Sequence, residues 1–257
     1  MSLLQAAVLG LIEGVTEFLP ISSTGHLILA AEFLGLTPTE FLKSFEVVVQ
    51  SGAILAVLVL YFKRLFLSFK VFWRVAVAFL PTALLGLLFY KIIKQYLLGN
   101  TLVVIGALFL GGLFIILAEW WFKNRLQAKV LSIEAMSWQQ AILIGIFQSF
   151  AFIPGVSRSA ATVIGGMFLG LSRSAVVEFS FLLAIPTMLA ATGLDLIKSA
   201  NVLEQTGVLN LGAGFLVAFL TALFVIKWLV KFVQTNTFTG FAYYRIVLAI
   251  ICFFVLF

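Results

Sequence analysis

Ten apolar stretches, separated by charged or turn-forming breaks, limit what this chain can fold into more than any other feature. They run Leu3 to Leu19, Gly25 to Leu36, Phe45 to Phe62, Val71 to Tyr90, Leu102 to Phe122, Trp138 to Ile153, Ala160 to Leu171, Val176 to Ile197, Leu209 to Val230 and Phe241 to Phe257. Several approach or exceed the roughly 20 residues that cross a bilayer as a helix, and none alternates like the ~10-residue strands of an outer-membrane barrel. With 63% hydrophobic and only 10% charged residues, the expected fold class is an all-α integral membrane protein, and a soluble domain is excluded.

The stretches divide into five and five. Gln5, Ala6, Gly10, Ser22, Gly35 and Leu36 reappear 135 positions later as Gln140, Ala141, Gly145, Ser157, Gly170 and Leu171. This ordered match reads as a duplication inside a single membrane domain, 1–257, with repeat one at 1–130 and repeat two at 136–257. In each half a proline and hydroxyl break separates a first run of about 17 residues from one of about 12, too short to cross. These are read as broken, re-entrant helix hairpins, whose irregular backbone is tolerated at depth only under cover of protein or beside a wet cavity. Whether the hairpin returns or both arms cross, each half makes an odd number of crossings, so the halves form an inverted repeat. That arrangement builds a binding site from discontinuous helices at the repeat interface, near the midplane.

Charge sets the orientation. One side receives Lys63, Arg64, Lys70, Arg74, Lys123, Arg125, Lys129, Arg173, Lys227 and Lys231, and the other Lys43, Lys91, Lys94 and Lys198. The positive-inside rule makes the first side cytoplasmic and places both termini outside. The net charge of +6 is explained by these loops, so nucleic acid is not an expected partner. Cys252 is the only cysteine and His26 the only histidine, which rules out an intrachain disulfide and a Cys/His metal cluster. No basic segment precedes the first apolar run, so a cleaved signal peptide is not expected.

The first break, EGVTEFLPISSTGH from Glu13 to His26, concentrates polar groups in a lipid-like sequence. Glu13 and Glu17 share a helix face one turn apart, and Pro20 is expected to break that helix. Ser22, Ser23 and Thr24 suit the N-cap region of the next helix, whose free amides and positive dipole end suit a phosphate. Two buried carboxylates need a partner. They read either as hydrogen-bonded groups joining helices or as a site for Mg²⁺ or Ca²⁺ or for proton transfer, and the nearby hydroxyls and histidine favour the second. In the second break, PGVSRSAAT, Arg158 replaces Ser23, Gln148 replaces Glu13 and Phe152 replaces Glu17. One half thus brings acids and the other a guanidinium, either as a plain ion pair or as a clamp on a metal-bound phosphate. Glu46 and Gln50 are further candidates for the same cavity, whereas Glu178, Asp195 and Arg245 read as interfacial or paired.

EGVTEFLPISSTGH and PGVSRSAAT together resemble the two signature regions of the undecaprenyl pyrophosphate phosphatase, or bacitracin-resistance, family. FEVVVQSGAILAV from Phe45, EFSFLLAIPT from Glu178 and the length extend the resemblance over essentially the whole chain. It implies a bacterial inner-membrane hydrolase that converts undecaprenyl diphosphate to undecaprenyl phosphate, recycling the cell-wall lipid carrier. It also implies that Glu13, Glu17, Ser23, His26 and Arg158 are essential and that a divalent cation is required. On this reading Glu13 and Glu17 hold the metal. Ser22, Thr24, Gly25, Ser157, Ser159 and Thr162 belong to the substrate site, while Ser23, His26 and water compete for the role of nucleophile. A lipid-phosphate transporter would share the architecture and the anion site. The oligomeric state, a homodimer included, stays open.

Overall fold

The computed structural model describes residues 1–37, 39–92, 97, 100–125, 128–203 and 207–257; Lys94 and the side chains of Lys91, Arg125, Asp195 and Lys198 fall outside the described residues. It is all-helical. The helices are α1 (Leu3–Thr16), α2 (Ser23–Phe33), α3 (Glu40–Phe66), α4 (Phe69–Ile92), α5 (Thr101–Arg125), α6 (Trp138–Ser149), α7 (Arg158–Phe168), α8 (Arg173–Leu203), α9 (Val208–Thr235) and α10 (Thr239–Leu256). Each matches one apolar stretch. Several extend beyond it because caps lie outside the apolar run, as where Thr39 accepts the Leu42 amide before α3 at 3.2 Å.

Among the described residues, six helices are long and apolar enough to cross a membrane: α3, α4, α5, α8, α9 and α10. α1 and α6, with 14 and 12 residues, span only about 20 Å and cannot cross.

The short helices begin and end in the same way 135 residues apart. Ser2 and Ser137 each form a capping box, with Gln5 and Gln140 three residues on. Those glutamines also reach across, Gln5 Nε2 donating to the Leu34 carbonyl at 3.2 Å and Gln140 Nε2 to that of Leu169 at 2.9 Å. The start of α1 therefore meets the end of α2, and the start of α6 the end of α7. Both arms of each hairpin run antiparallel.

Pro20 acts further upstream than the sequence suggested. A proline ring collides with the carbonyl four residues before it, which here is Thr16, and α1 stops there. Pro154 has the same reach to Phe150, where α6 gives way to a 3₁₀ turn, Phe150–Phe152.

Small residues let the short helices sit deep. α1 packs on α9 and α6 on α4, so each half's broken helix lies against a long helix of the other half. Gly10 and Gly14 face the backbones of Gly214 and Ala218, and Gly145 faces the Ala78 carbonyl with no room for a methyl. Gly145→Ala is expected to destabilise the protein by about 1–3 kcal/mol, since backbone cannot yield as a flexible side chain can. A melting curve in detergent that matched the unsubstituted protein would refute this packing.

Candidate active site

The two breaks meet. At each, a serine is forced into the left-handed region, Ser22 with φ 71° and Ser157 with φ 75°. Such a conformation costs a non-glycine residue about 1–3 kcal/mol and persists where surrounding contacts impose it. Both residues turn the chain into a helix start, that of α2 and that of α7. Ser157 caps its helix through Oγ, which accepts the Ala160 amide at 3.2 Å. Ser22 makes no side-chain cap, which leaves the first-turn amides of α2 open to an anion.

Glu17, the first residue after α1, joins the halves. Its Oε2 accepts from the Ser23 hydroxyl at 2.5 Å, and its Oε1 accepts from Arg158 Nη2 at 3.2 Å. Arg158 Nη1 donates to the Ser180 carbonyl at 2.9 Å, its guanidinium lies 5.9 Å from the centre of the Phe18 ring, and its Nε has no partner among the described residues. The side chains of Glu17 and Arg158 are 6% and 11% exposed, so removing either would strand a charge in a dry site. The ion pair expected from charge alone is present, though through one nitrogen rather than as a bidentate fork.

A cleft of about 260 Å³ opens over this group, lined by Glu17, Ser22, Ser23, Thr24, Ser157 and Arg158 from the two breaks and by Gln50, Thr82, Gln148 and Thr187 around them. Glu46 is half-buried and does not line it. Glu13 lies one turn behind Glu17, fully buried, and neither of its oxygens has a hydrogen-bond partner among the described residues. Two hard, unsatisfied oxygens beside a second carboxylate fit a divalent cation. Among the described residues no third His, Cys, Asp or Glu joins them, so hydroxyl, water or substrate oxygens would complete the shell.

Glu13 does not line the cleft, and neither do four other expected site residues, Gly25, His26, Ser159 and Thr162. Gly25 is packed against α5, where a methyl would press on Val104. Ser159 Oγ donates to the Leu19 carbonyl at 2.7 Å and so ties the second break to the first. Thr162 is used by the Arg158 and Ser159 carbonyls and by Ser180 Oγ at 2.6 Å. His26 turns away to bond its own turn. Its Nδ1–H donates to the Ser22 carbonyl at 2.8 Å, and in the neutral imidazole Nε2 accepts from the Tyr244 hydroxyl at 2.7 Å. His26 therefore steadies the strained Ser22 rather than reaching into the cleft.

Arg245 carries the largest correction to the sequence reading. It is neither interfacial nor paired but fully buried in α10, and all five of its N–H groups find backbone carbonyls. Nη1 donates to Pro20 at 3.2 Å and Val156 at 3.0 Å, Nη2 to Gly155 at 2.8 Å and Ala107 at 3.0 Å, and Nε to Leu108 at 3.3 Å. One side chain thus fastens both breaks to α5. Gly111 makes room for it, since a methyl there would collide with the guanidinium. Glu178, by contrast, is paired as expected, with Arg64 at 3.0 Å.

A larger cavity of about 640 Å³ lies elsewhere, beside Glu119, Lys123 and Arg173. Its buried acid is already satisfied, since Glu119 accepts from Arg173 at 2.5 Å and from the Phe238 amide at 2.9 Å. Among the described residues that cavity offers no unsatisfied buried acid comparable with Glu13.

The comparisons with known proteins place the chain among named relatives. An undecaprenyl-diphosphatase of Aquifex aeolicus (strain VF5) is 49% identical over 247 residues, covering 96% of each chain. One from Sulfurihydrogenibium sp. (strain YO3AOP1) is 50% identical over 251 residues, 98% of each, and one from Wolinella succinogenes is 46% identical over 256 residues, 100% of this chain and 99% of the relative. The family model described as bacitracin resistance protein BacA matches residues 6–251, and the chain belongs to that family.

Proposed function

We propose that the cleft removes the terminal phosphate of undecaprenyl diphosphate, with Ser23 as the attacking group. The enzyme is an undecaprenyl-diphosphatase, the activity by which its relatives are named. The observation that carries the mechanism is the Ser23 hydroxyl held 2.5 Å from Glu17 Oε2 while Arg158 anchors the other oxygen. A hydroxyl is a weak nucleophile until a base takes its proton, and Glu17 is already in place to do so.

As the Ser23 oxygen bonds to phosphorus, its proton passes to Glu17. The bond to the bridging oxygen breaks, and its electrons leave with undecaprenyl phosphate. Water then attacks the phosphorus of the phosphoserine, the bond from phosphorus to the Ser23 oxygen breaks, Glu17 returns its proton to that oxygen, and the hydrogens of the water leave with inorganic phosphate. The free Nε of Arg158 and the uncapped first-turn amides of α2 are the donors left for the negative charge that develops. His26 is a positioning residue in this scheme, holding the Ser22 carbonyl. Glu13 and Glu17 would hold Mg²⁺ or Ca²⁺, which when bound neutralises the charge of the diphosphate.

The halves form an inverted repeat whose hairpins re-enter the membrane. The matched caps, the antiparallel arms and the three long helices in each half support this, because an odd number of crossings inverts the second half. The Lys- and Arg-rich side is cytoplasmic, so both termini and the mouth of the first hairpin face outward. Arg64 bonded to Glu134 at 2.6 Å, Arg64 to Glu178, and Arg173 to Glu119 gather the charged helix ends on that cytoplasmic side.

Purified protein in detergent is expected to release phosphate from undecaprenyl diphosphate, to stop when EDTA is added, and to recover with Mg²⁺ or Ca²⁺. Unchanged turnover in EDTA would remove the metal from the scheme, and no turnover with either ion would remove the scheme itself.

A further inference from the structure

Gln148 stands where the first half carries Glu13, and nothing so far gives it a task. It is 1% exposed, it lines the cleft, and its Oε1 has no hydrogen-bond partner among the described residues. Its amide cannot turn over freely. Nε2 donates to Thr82 Oγ1 at 2.8 Å and to Thr187 Oγ1 at 3.0 Å. Both hydroxyls have already spent their hydrogens on backbone carbonyls, Thr82 on Gly145 at 2.9 Å and Thr187 on Leu183 at 2.8 Å. They can only accept, so the NH₂ must face them and the carbonyl oxygen must be the free end. The two threonines directly follow the in-helix prolines Pro81 and Pro186.

A buried acceptor without a donor is costly until a ligand supplies one. A fully ionised phosphoryl group has no hydrogen to offer, and its oxygens would repel this carbonyl. A phosphoryl group that retains one proton offers an O–H, while its remaining oxygens can take the unpaired Nε of Arg158 in the same cleft.

From this arrangement we propose that Gln148 is a specificity residue that accepts the P–O–H hydrogen of a protonated terminal phosphoryl group. This rests on the diphosphatase reading above and adds the ionisation state of the group that is recognised.

Inorganic phosphate and sulfate test it, because hydrogen phosphate and sulfate carry the same charge and shape but only the first has a hydrogen. Both are used as inhibitors of turnover by the purified enzyme. Phosphate is expected to inhibit about tenfold better than sulfate, and Gln148→Met to bring the two together by weakening phosphate alone. A structural role would not change that ratio. Equal inhibition of the unsubstituted enzyme by the two anions overturns the proposal, as does a ratio that survives in Gln148→Met while kcat falls. Should that variant not fold, Thr187→Val frees one side of the amide and is expected to lower the ratio part of the way, an unchanged ratio counting against the proposal. If the unsubstituted enzyme releases no phosphate from undecaprenyl diphosphate, the diphosphatase reading fails first. If it turns over without discriminating the anions, only the role of Gln148 fails.

Discussion

Glu17→Gln is expected to lower kcat for undecaprenyl diphosphate by about a thousandfold, within the range found when a positioned base and an ion-pair partner are lost together. The amide oxygen can still accept from Ser23, so the geometry of the serine survives, but it cannot take the proton. It also leaves Arg158 without its counter-charge in a site where both side chains are nearly buried. A melting midpoint in the same detergent separates the two effects, because a chemical loss persists in protein that is still folded. Arg158→Lys should not rescue what Arg158→Ala loses. An ammonium cannot hold the Ser180 carbonyl and Glu17 at once while keeping a third donor free, as the guanidinium does. Folded Glu17→Gln protein with near-normal phosphate release would end the case for a Glu17-activated serine.

Arg245→Met is expected to have the second large effect, on folding as much as on rate. Swapping a buried charge for an apolar side chain is often tolerated when its partner is removed as well. Here the partners are carbonyls of Pro20, Gly155 and Val156, which stay behind in irregular backbone with no donor. Each stranded acceptor costs about 1–3 kcal/mol, in sum a large share of the stability of an ordinary domain. Arg245→Lys keeps the charge but has three donors on a single nitrogen and cannot span both breaks. It should fold, with kcat reduced more than KM is raised, because it loosens the alignment of Ser23 with Arg158 rather than the cleft walls. If Arg245→Met protein melted and turned over like the unsubstituted enzyme, the clamp would be ornamental.

Much of the architecture was legible because it is written in local patterns. The ten helices follow the apolar runs, and the meeting of Glu17, Ser23 and Arg158 follows from charge division between two aligned breaks. What could not be read depends on backbone or on long-range partners. Every residue has a carbonyl, so no spacing of side chains marks the five that Arg245 collects, and a lone arginine near the end of an apolar run looks interfacial. Gln148 is similarly opaque, since Thr82 and Thr187 lie on two other helices. The partners of His26 and Thr162 were hidden for a different reason. Both residues sit on the correct helices, but their polar atoms turn back to nearby backbone, a choice that sequence does not fix.

The arginine clamp also dictates an order of assembly. Both breaks are made well before residue 245, so until α10 docks the Glu17–Arg158 pair and the Ser159 bond to the Leu19 carbonyl hold them together. The five carbonyls that Arg245 collects gain their donor only when α10 docks, so the two breaks take on their final spacing late in assembly.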